Sequence, residues 1–450
     1  MDQKPKIIII GAGLAGLTAA LRLYQKQYDM DLYEATGRVG GRVHTIYMKD
    51  SEGRCFPAEL GGQNIADGGR ALNIQNLATD LSLDIEEMMT PYDAVSYQNG
   101  HYNDFNALLA SLNWSQKQLQ EKVKEGTLNA KCMEDVLNCL FSEDHILKQA
   151  LYARLKAYEG LDPKDQSIYH NLETLRCILE GGLSAAHEAI HSTVQKIMVQ
   201  RIRGGNAKLP LKIADILKDK IHLNKALSYV VYDKGKIKLT FKDSSEAYCD
   251  KLIIAIPTLP LQDIQFEQNM IPDHQFRNIC KVQYGKNCKI LTPASYSSTS
   301  CRGVVTDRQI SILNQEGGMV VMYFIDEKGL PFFKEQISIL MKGDPTLKIS
   351  SDAPVEAQDL QFVKYECATT KIWTADPYIK GSYAGYNVAL GKALDDRLCY
   401  KNIEVKEIFA PINDQIFFIG EHTTLLDEIG TMEAAVESGE RIAKVFDKIW

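Results

Sequence analysis

The stretch Ile7-Ile8-Ile9-Ile10-Gly11-Ala12-Gly13-Leu14-Ala15-Gly16-Leu17 constrains this chain more than any other. Four consecutive isoleucines predict a strand buried on both faces, as in a parallel sheet. The apolar residues after Gly16 (Leu17, Ala20, Leu21, Leu23) predict a helix. Between them, Gly11 makes the tight turn, Gly13 lets backbone approach a pyrophosphate, and Gly16 lets helix and strand pack closely. Phosphates then meet the helix N-terminus, with Ala15 in its first turn. A second short strand closes on Leu32-Tyr33 and ends in Glu34-Ala35. Glu34, eighteen residues after Gly16, is placed to accept hydrogen bonds from both hydroxyls of a ribose. Strand, glycines, helix, strand and terminal acid together specify a dinucleotide site, which Gly-x-Gly-x-x-Gly alone would not.

A chain of 450 residues should hold two or three domains, and its 45% hydrophobic content can fill their cores. A net charge of −7 without a basic or acidic run argues against nucleic acid as a partner. The polar opening Met1–Lys6 leaves no room for a signal peptide, and no apolar run approaches the ~18 residues that span a bilayer. A cytoplasmic protein without a membrane anchor is therefore expected, with a homodimer open to it. The ten cysteines form no Cys-x-x-Cys pair, so free thiols are expected, with no zinc cage or disulfide framework.

Arg38-Val39-Gly40-Gly41-Arg42 follows the second strand, and there Arg42 can fork two N–H groups onto a phosphate. Leu60-Gly61-Gly62-Gln63 offers bare backbone to a flat ring. Residues 72–191 read as mostly helical, with amphipathic stretches Met133–Leu147 and Gln149–Tyr158 and turns at Gly160 and Pro163. They suggest an inserted cap whose loops, such as Tyr97–Tyr102, wall a substrate tunnel. His187-Glu188-Ala189-Ile190-His191 within it is a literal H-E-x-x-H. A catalytic zinc would need a third ligand, and no metal site is expected.

A helix over Leu209–Leu217 precedes strands Ser228–Tyr232 and Ile237–Phe241, joined by a hairpin turn, and a buried strand at Leu252–Ile256. In Tyr284-Gly285-Lys286-Asn287-Cys288-Lys289-Ile290, a lysine entering an apolar strand requires a partner for its ammonium. The last motif runs from the strand Ile416–Ile419 through Gly420-Glu421 to Gly430-Thr431-Met432 and a helix ending near Ile449. The N-terminus of that helix could stabilise an anion, with the Met432 amide as donor.

In order and spacing, these motifs resemble the flavin-containing amine oxidase family, which includes monoamine, polyamine and L-amino-acid oxidases. The resemblance covers essentially the whole chain. It implies FAD, a Rossmann-like α/β FAD-binding domain from residues 1–77, 197–283 and 384–450, and a discontinuous α+β substrate domain from residues 78–196 and 284–383. It also implies that backbone at Ala226 binds adenine, and that Glu421 binds a ribityl or phosphate-proximal hydroxyl. A lysine holds a water against the flavin, Lys289 by its spacing from Gly285 and Lys286 as the rival. Tyr383, after Trp373-Thr-Ala-Asp-Pro377, forms an aromatic wall.

Three residues depart from the family pattern. Thr36 stands where many relatives carry arginine. Ser382 stands where monoamine oxidases bind flavin through cysteine, which implies non-covalent FAD. Thr431 replaces a second wall tyrosine, which implies a wider approach suited to polyamines or other secondary or cationic amines. The expected reaction oxidises an amine C–N bond to an imine and reduces O2 to H2O2. Alternatives are an L-amino-acid oxidase, with Arg203 or Arg70 for the substrate carboxylate, a carbon–carbon desaturase in which Lys289 is dispensable, and a non-catalytic FAD-binding scaffold.

Overall fold

The structure, a computed structural model, describes residues 4–49, 55–67, 71–88, 93–98, 100–181, 198–295, 302–306, 309–313, 319–324, 327–343, 346–349, 355–356, 362–365 and 368–449. The isoleucine run forms β1 (Ile7–Ile10), wholly buried, and leads into α1 (Leu14–Gln25) and β2 (Met30–Tyr33). Three later strands join them: β3 (Ile221–His222), β4 (Lys251–Ile254) and β5 (Ile416–Phe418). The sheet order is β3-β2-β1-β4-β5, parallel throughout. Strand order reverses between β1 and β4, and a ligand crevice opens beyond the carboxyl ends of strands at such a switch point.

The chain closes with α2 (Met432–Ile449), which lies against α1. Gly439 sets their approach, because a Cβ there would come within 2.6 Å of the Ala15 carbonyl oxygen. Ile7, Leu17, Leu21, Phe417 and Phe446 fill the core between these helices and one face of the sheet. On the other face, the hairpin Leu227–Asp233/Lys236–Phe241 turns through Lys234 and Gly235, both at positive φ.

A larger mixed sheet carries the second visit of the chain. Its central strand, Cys288–Ser295, pairs antiparallel with Met319–Phe324 on one side and Ala368–Lys371 on the other. Helices Met133–Leu140, Ile146–Glu159 and Ile168–Gly181 pack around their own apolar cluster.

Three sequence expectations change here. The region after Leu72 is not uniformly helical, since strands Ile85–Met88, Asp93–Gln98 and His101–Asp104 precede its helical cluster. Ile85–Met88 pairs with Met198–Ile202, and the Glu86–Arg201 ion pair (2.7 Å) crosses that ladder. A partner so distant in sequence leaves no local periodicity to read. Tyr97 and Tyr102, expected in a loop, instead face each other across a hairpin with ring centroids 4.8 Å apart. The stretch Met133–Leu147 is also broken, at Phe141, whose extended backbone ends the first helix.

Candidate active site

Gly11 (φ 107°) turns the chain from β1 towards α1. A Cβ on Gly11 would lie 2.8 Å from the Ala255 carbonyl oxygen, and one on Gly16 would lie 2.0 Å from the Gly11 oxygen, so neither position admits a side chain. Gly13 differs, because a Cβ there would meet nothing within 4 Å. Bare backbone at the start of α1 thus faces open space, the arrangement that accepts a pyrophosphate. Ala15 is buried in the first turn. A cleft beside this turn is lined by Gly11, Glu34, Ala35, Ala226 and Tyr378, among others, so four residues singled out in the sequence share one pocket.

The Glu34 carboxylate is heavily engaged. It accepts from the Ala12 amide (2.8 Å), the Thr36 amide (2.9 Å) and the Thr36 hydroxyl (2.8 Å). A carboxylate has about four acceptor sites, so about one remains for a ribose, where the sequence suggested both hydroxyls. The hydroxyl of Thr36, the residue that departs from the expected arginine, serves to anchor this acid.

Arg42 and Glu421 meet at the centre of the site. Arg42 Nη1 donates to Glu421 Oε1 (2.7 Å) and to the Ser382 carbonyl (3.0 Å). Glu421 also accepts from the Ala384 (3.3 Å) and Gly430 (3.0 Å) amides. Burial alone would raise its pKa, but the Arg42 charge and these donors outweigh burial and hold it below the ordinary value. Gly420 enters this turn at φ 142°, where a Cβ would run into the His422 ring. Gly61 and Gly62 lie beneath: a Cβ on Gly61 would strike the Arg42 carbonyl, and one on Gly62 the Met432 sulfur. The Thr431 hydroxyl accepts from the Ala434 amide (3.0 Å), so it caps α2 rather than reaching outward.

Lys289 is buried on the central strand, 5% exposed, whereas Lys286 is exposed. The Lys289 ammonium donates to the Gly61 carbonyl (3.4 Å) and sits 5.5 Å from the centroid of Tyr323, its cross-strand neighbour. The Tyr323 hydroxyl donates to Gln63 (2.8 Å) in the Leu-Gly-Gly-Gln turn, and the Trp373 indole donates to the Leu60 carbonyl (3.3 Å). Tyr383 is half-buried, and its hydroxyl donates to the Ala157 carbonyl (3.1 Å). Lys289, Tyr323 and the Leu60–Gln63 turn are thus joined by direct contacts.

A family model described as flavin-containing amine oxidoreductase matches residues 14–292 and 359–445. The chain belongs to this family. Relatives along nearly its whole length include L-amino-acid oxidases of Gloydius blomhoffii and Naja atra, each 22% identical over 98% of this chain and 89% and 88% of theirs. Among solved structures, cyclohexylamine oxidase from Brevibacterium oxydans aligns over 99% of both chains (18% identity, TM-score 0.72). Putrescine oxidase bound to putrescine aligns over 98% of both (16% identity, TM-score 0.71). These solved structures share the α/β fold expected from the sequence.

Membership in this family makes a flavin the resident cofactor, and the open Gly13 backbone and the Glu34–Ala35–Ala226 cleft fit an adenine dinucleotide end. Arg203, a candidate for a substrate carboxylate, is 63% exposed and lies 3.6 Å from both Asp84 and Glu86, so it sits on the surface. Arg70 and the His187–His191 motif lie outside the described residues. Among the described residues, no helix is long and apolar enough to cross a membrane. Tyr323 and Asn287 are site residues that sequence reasoning missed. Asn287 lies just before the strand Cys288–Ser295, in an irregular stretch, so no strand periodicity marked it.

Proposed function

We propose that this protein is an FAD-dependent oxidase of cationic or secondary amines, polyamines foremost, which converts a C–N bond to an imine while O2 is reduced to H2O2. The observation that carries the reading is the placement of a buried lysine, Lys289, against the glycine turn Gly61–Gly62 within a family of flavin amine oxidoreductases. In this reading FAD is held by Gly11, Gly13, Ala15, Gly16, Glu34, Ala35, Arg42, Gly61, Gly62, Ala226, Gly420, Glu421, Thr431 and Met432. Residues 1–77, 197–283 and 384–450 form its domain, and residues 78–196 and 284–383 form the substrate domain. Bound FAD supplies the two-electron acceptor for an amine and then for dioxygen.

The chain's own groups supply orientation and charge. Tyr383 presents a π face to the amine, an arrangement suited to a neutral or cationic nitrogen. Lys289 places a fixed positive charge, and a water within its reach, where dioxygen takes up electrons. The helix dipole at Met432 favours negative charge at the flavin's ring edge. Ser382 carries no thiol, so the cofactor stays dissociable. Because Thr431 stands where a second wall tyrosine would be, one side of the amine's path lacks an aromatic wall, which favours substituted or long amines.

An L-amino-acid oxidase is the second reading, favoured by the names of the relatives. Peroxide release from FAD-loaded protein across polyamines, monoamines and L-amino acids decides between them. Release from polyamines, slowed at least about tenfold by Lys289→Met while anaerobic bleaching persists, is the expected result. Release from L-amino acids alone would replace the polyamine reading with the second one, and silence across the panel would remove both.

A further inference from the structure

We propose that Asn287 is a positioning residue for amine oxidation, whose carboxamide ties Tyr383 and Ser382 to the end of helix Ile146–Glu159 and thereby sets the tilt of the tyrosine wall. This rests on the reading of Tyr383 as the wall that meets the amine. Asn287 is 8% exposed, and both ends of its side chain are used. Nδ2 donates to the Ala157 carbonyl (2.7 Å) and to the Tyr383 hydroxyl (2.9 Å), while Oδ1 accepts from the Ser382 hydroxyl (2.7 Å). Tyr383 completes the ring by donating to the same Ala157 carbonyl. The amide cannot be flipped, because its oxygen would then face that carbonyl, an acceptor against an acceptor.

The backbone around this knot is shaped to admit it. Gly160 ends helix Ile146–Glu159 at φ 74°, and a Cβ there would lie 2.7 Å from Asn287 Oδ1. A Cβ on Gly285 would lie 2.5 Å from the Ser382 hydroxyl and 2.6 Å from Asn287 Oδ1. Neither glycine can be replaced without expelling the carboxamide. Three separated segments (157–160, 285–287 and 382–383) are therefore locked through one side chain, which stands two residues from Lys289 on the same chain. Burial pushes the Tyr383 phenol above its ordinary pKa, so it remains an O–H donor to Ala157 at any working pH.

A double-variant cycle on the FAD-saturated protein tests the tether. Asn287→Leu keeps the volume and removes all three bonds, and it should lower kcat/KM for the amine about tenfold. Tyr383→Phe should show a comparable loss, and the double variant should fall no more than about twofold below Tyr383→Phe, because the two act through one contact. The near-UV circular dichroism of N287L should change in the tyrosine bands, and that change should vanish when Tyr383 is already Phe. Multiplying losses, or unchanged bands, overturn the tether. An inert Tyr383→Phe overturns the wall reading and the catalytic part of the proposal with it, and the dichroism distinguishes that outcome from a missing tether. Should N287L fail to fold, Asn287→Asp carries the test. Its neutral acid can donate to Ala157 and its anion cannot, so kcat/KM should gain a fall with rising pH that wild type lacks. Superimposable profiles overturn the proposal.

Discussion

The Thr431 hydroxyl satisfies the Ala434 amide in the first turn of α2, so its removal should be felt first as lost stability. Thr431→Ala should lower the unfolding free energy by about 1 kcal/mol in urea titrations, the usual cost of a lost N-cap, with KM for the amine nearly unchanged. A large KM change at constant stability would show that the hydroxyl serves the substrate instead. His422 gives a pH-dependent counterpart. Burial foremost, with help from Arg42 and Lys406 against the pull of Glu421, pushes it down to about 4 from 6.5. Unfolding lets it take up a proton, so stability present above pH 6.5 is lost as pH falls towards 4, on the order of 3 kcal/mol from ~1.4 per unit. Glu159 runs the other way: burial raises it to about 7, so its contribution is fullest below pH 4.5 and is lost as pH rises through 7. The useful comparison is therefore of slopes. His422→Asn, which can still meet the Tyr284 hydroxyl, should flatten the acid limb of the unfolding free energy, and an unchanged slope would refute the assignment. The tight backbone at Gly11 and Gly16 was legible in sequence because it answers to geometry a few residues away. The engagement of Glu421 by Arg42 was not, since side-chain pairing across 379 positions leaves no local trace, whereas the bond from Thr36 to Glu34 spans only two residues and shows how a local turn can occupy an acid that the motif leaves open.

Between elements, the α1–α2 contact decides how two helix N-termini face the cofactor region. Gly439 lies where a Cβ would meet the Ala15 oxygen at 2.6 Å and the Thr18 Cβ at 2.7 Å, all rigid parts of α1. Gly439→Ala must therefore push the helices apart despite the better helix propensity of alanine. Overpacking of this kind costs roughly 1–3 kcal/mol, so the variant should melt lower and hold FAD more weakly, as read by equilibrium dialysis. Unchanged melting and unchanged FAD affinity would mean that the helices can slide without disturbing the site. The elements themselves divide by how they are stabilised. α1 and α2 were readable from helical periodicity, and β1, β4 and β5 from short unbroken apolar runs, the mark of strands buried on both faces. Ile85–Met88 fell within a region read as mostly helical because its pairing partner, Met198–Ile202, lies far along the chain, whereas the Tyr97–Tyr102 hairpin pairs locally and carried a signal in Asn99-Gly100 that the loop reading passed over.

On the scale of the molecule, the residues proposed to hold FAD come from separated lengths of chain: Gly13 and Arg42 near the start, Ala226 midway, and Glu421 with Met432 near the end. The five-stranded sheet is assembled the same way, with β4 between β1 and β5. A ligand that touches all three lengths binds the assembled protein and cannot bind the unfolded chain as well. Free FAD should therefore stabilise by RT ln(1 + [FAD]/Kd), about 4 kcal/mol at a thousandfold excess over Kd, and the melting temperature should climb with the logarithm of free FAD. Variants then separate by position. Gly13→Ala, which places a methyl group in the open space at the start of α1, should abolish most of this climb while lowering the FAD-free melting temperature only by the modest cost of a poorer N-cap, because a Cβ there meets nothing within 4 Å. Lys289→Met, proposed to act on dioxygen, should retain the full climb. A linkage curve equally weakened in both variants would refute the separation of cofactor holding from oxygen chemistry. A flat curve for the wild type would refute the convergence of the three lengths on FAD.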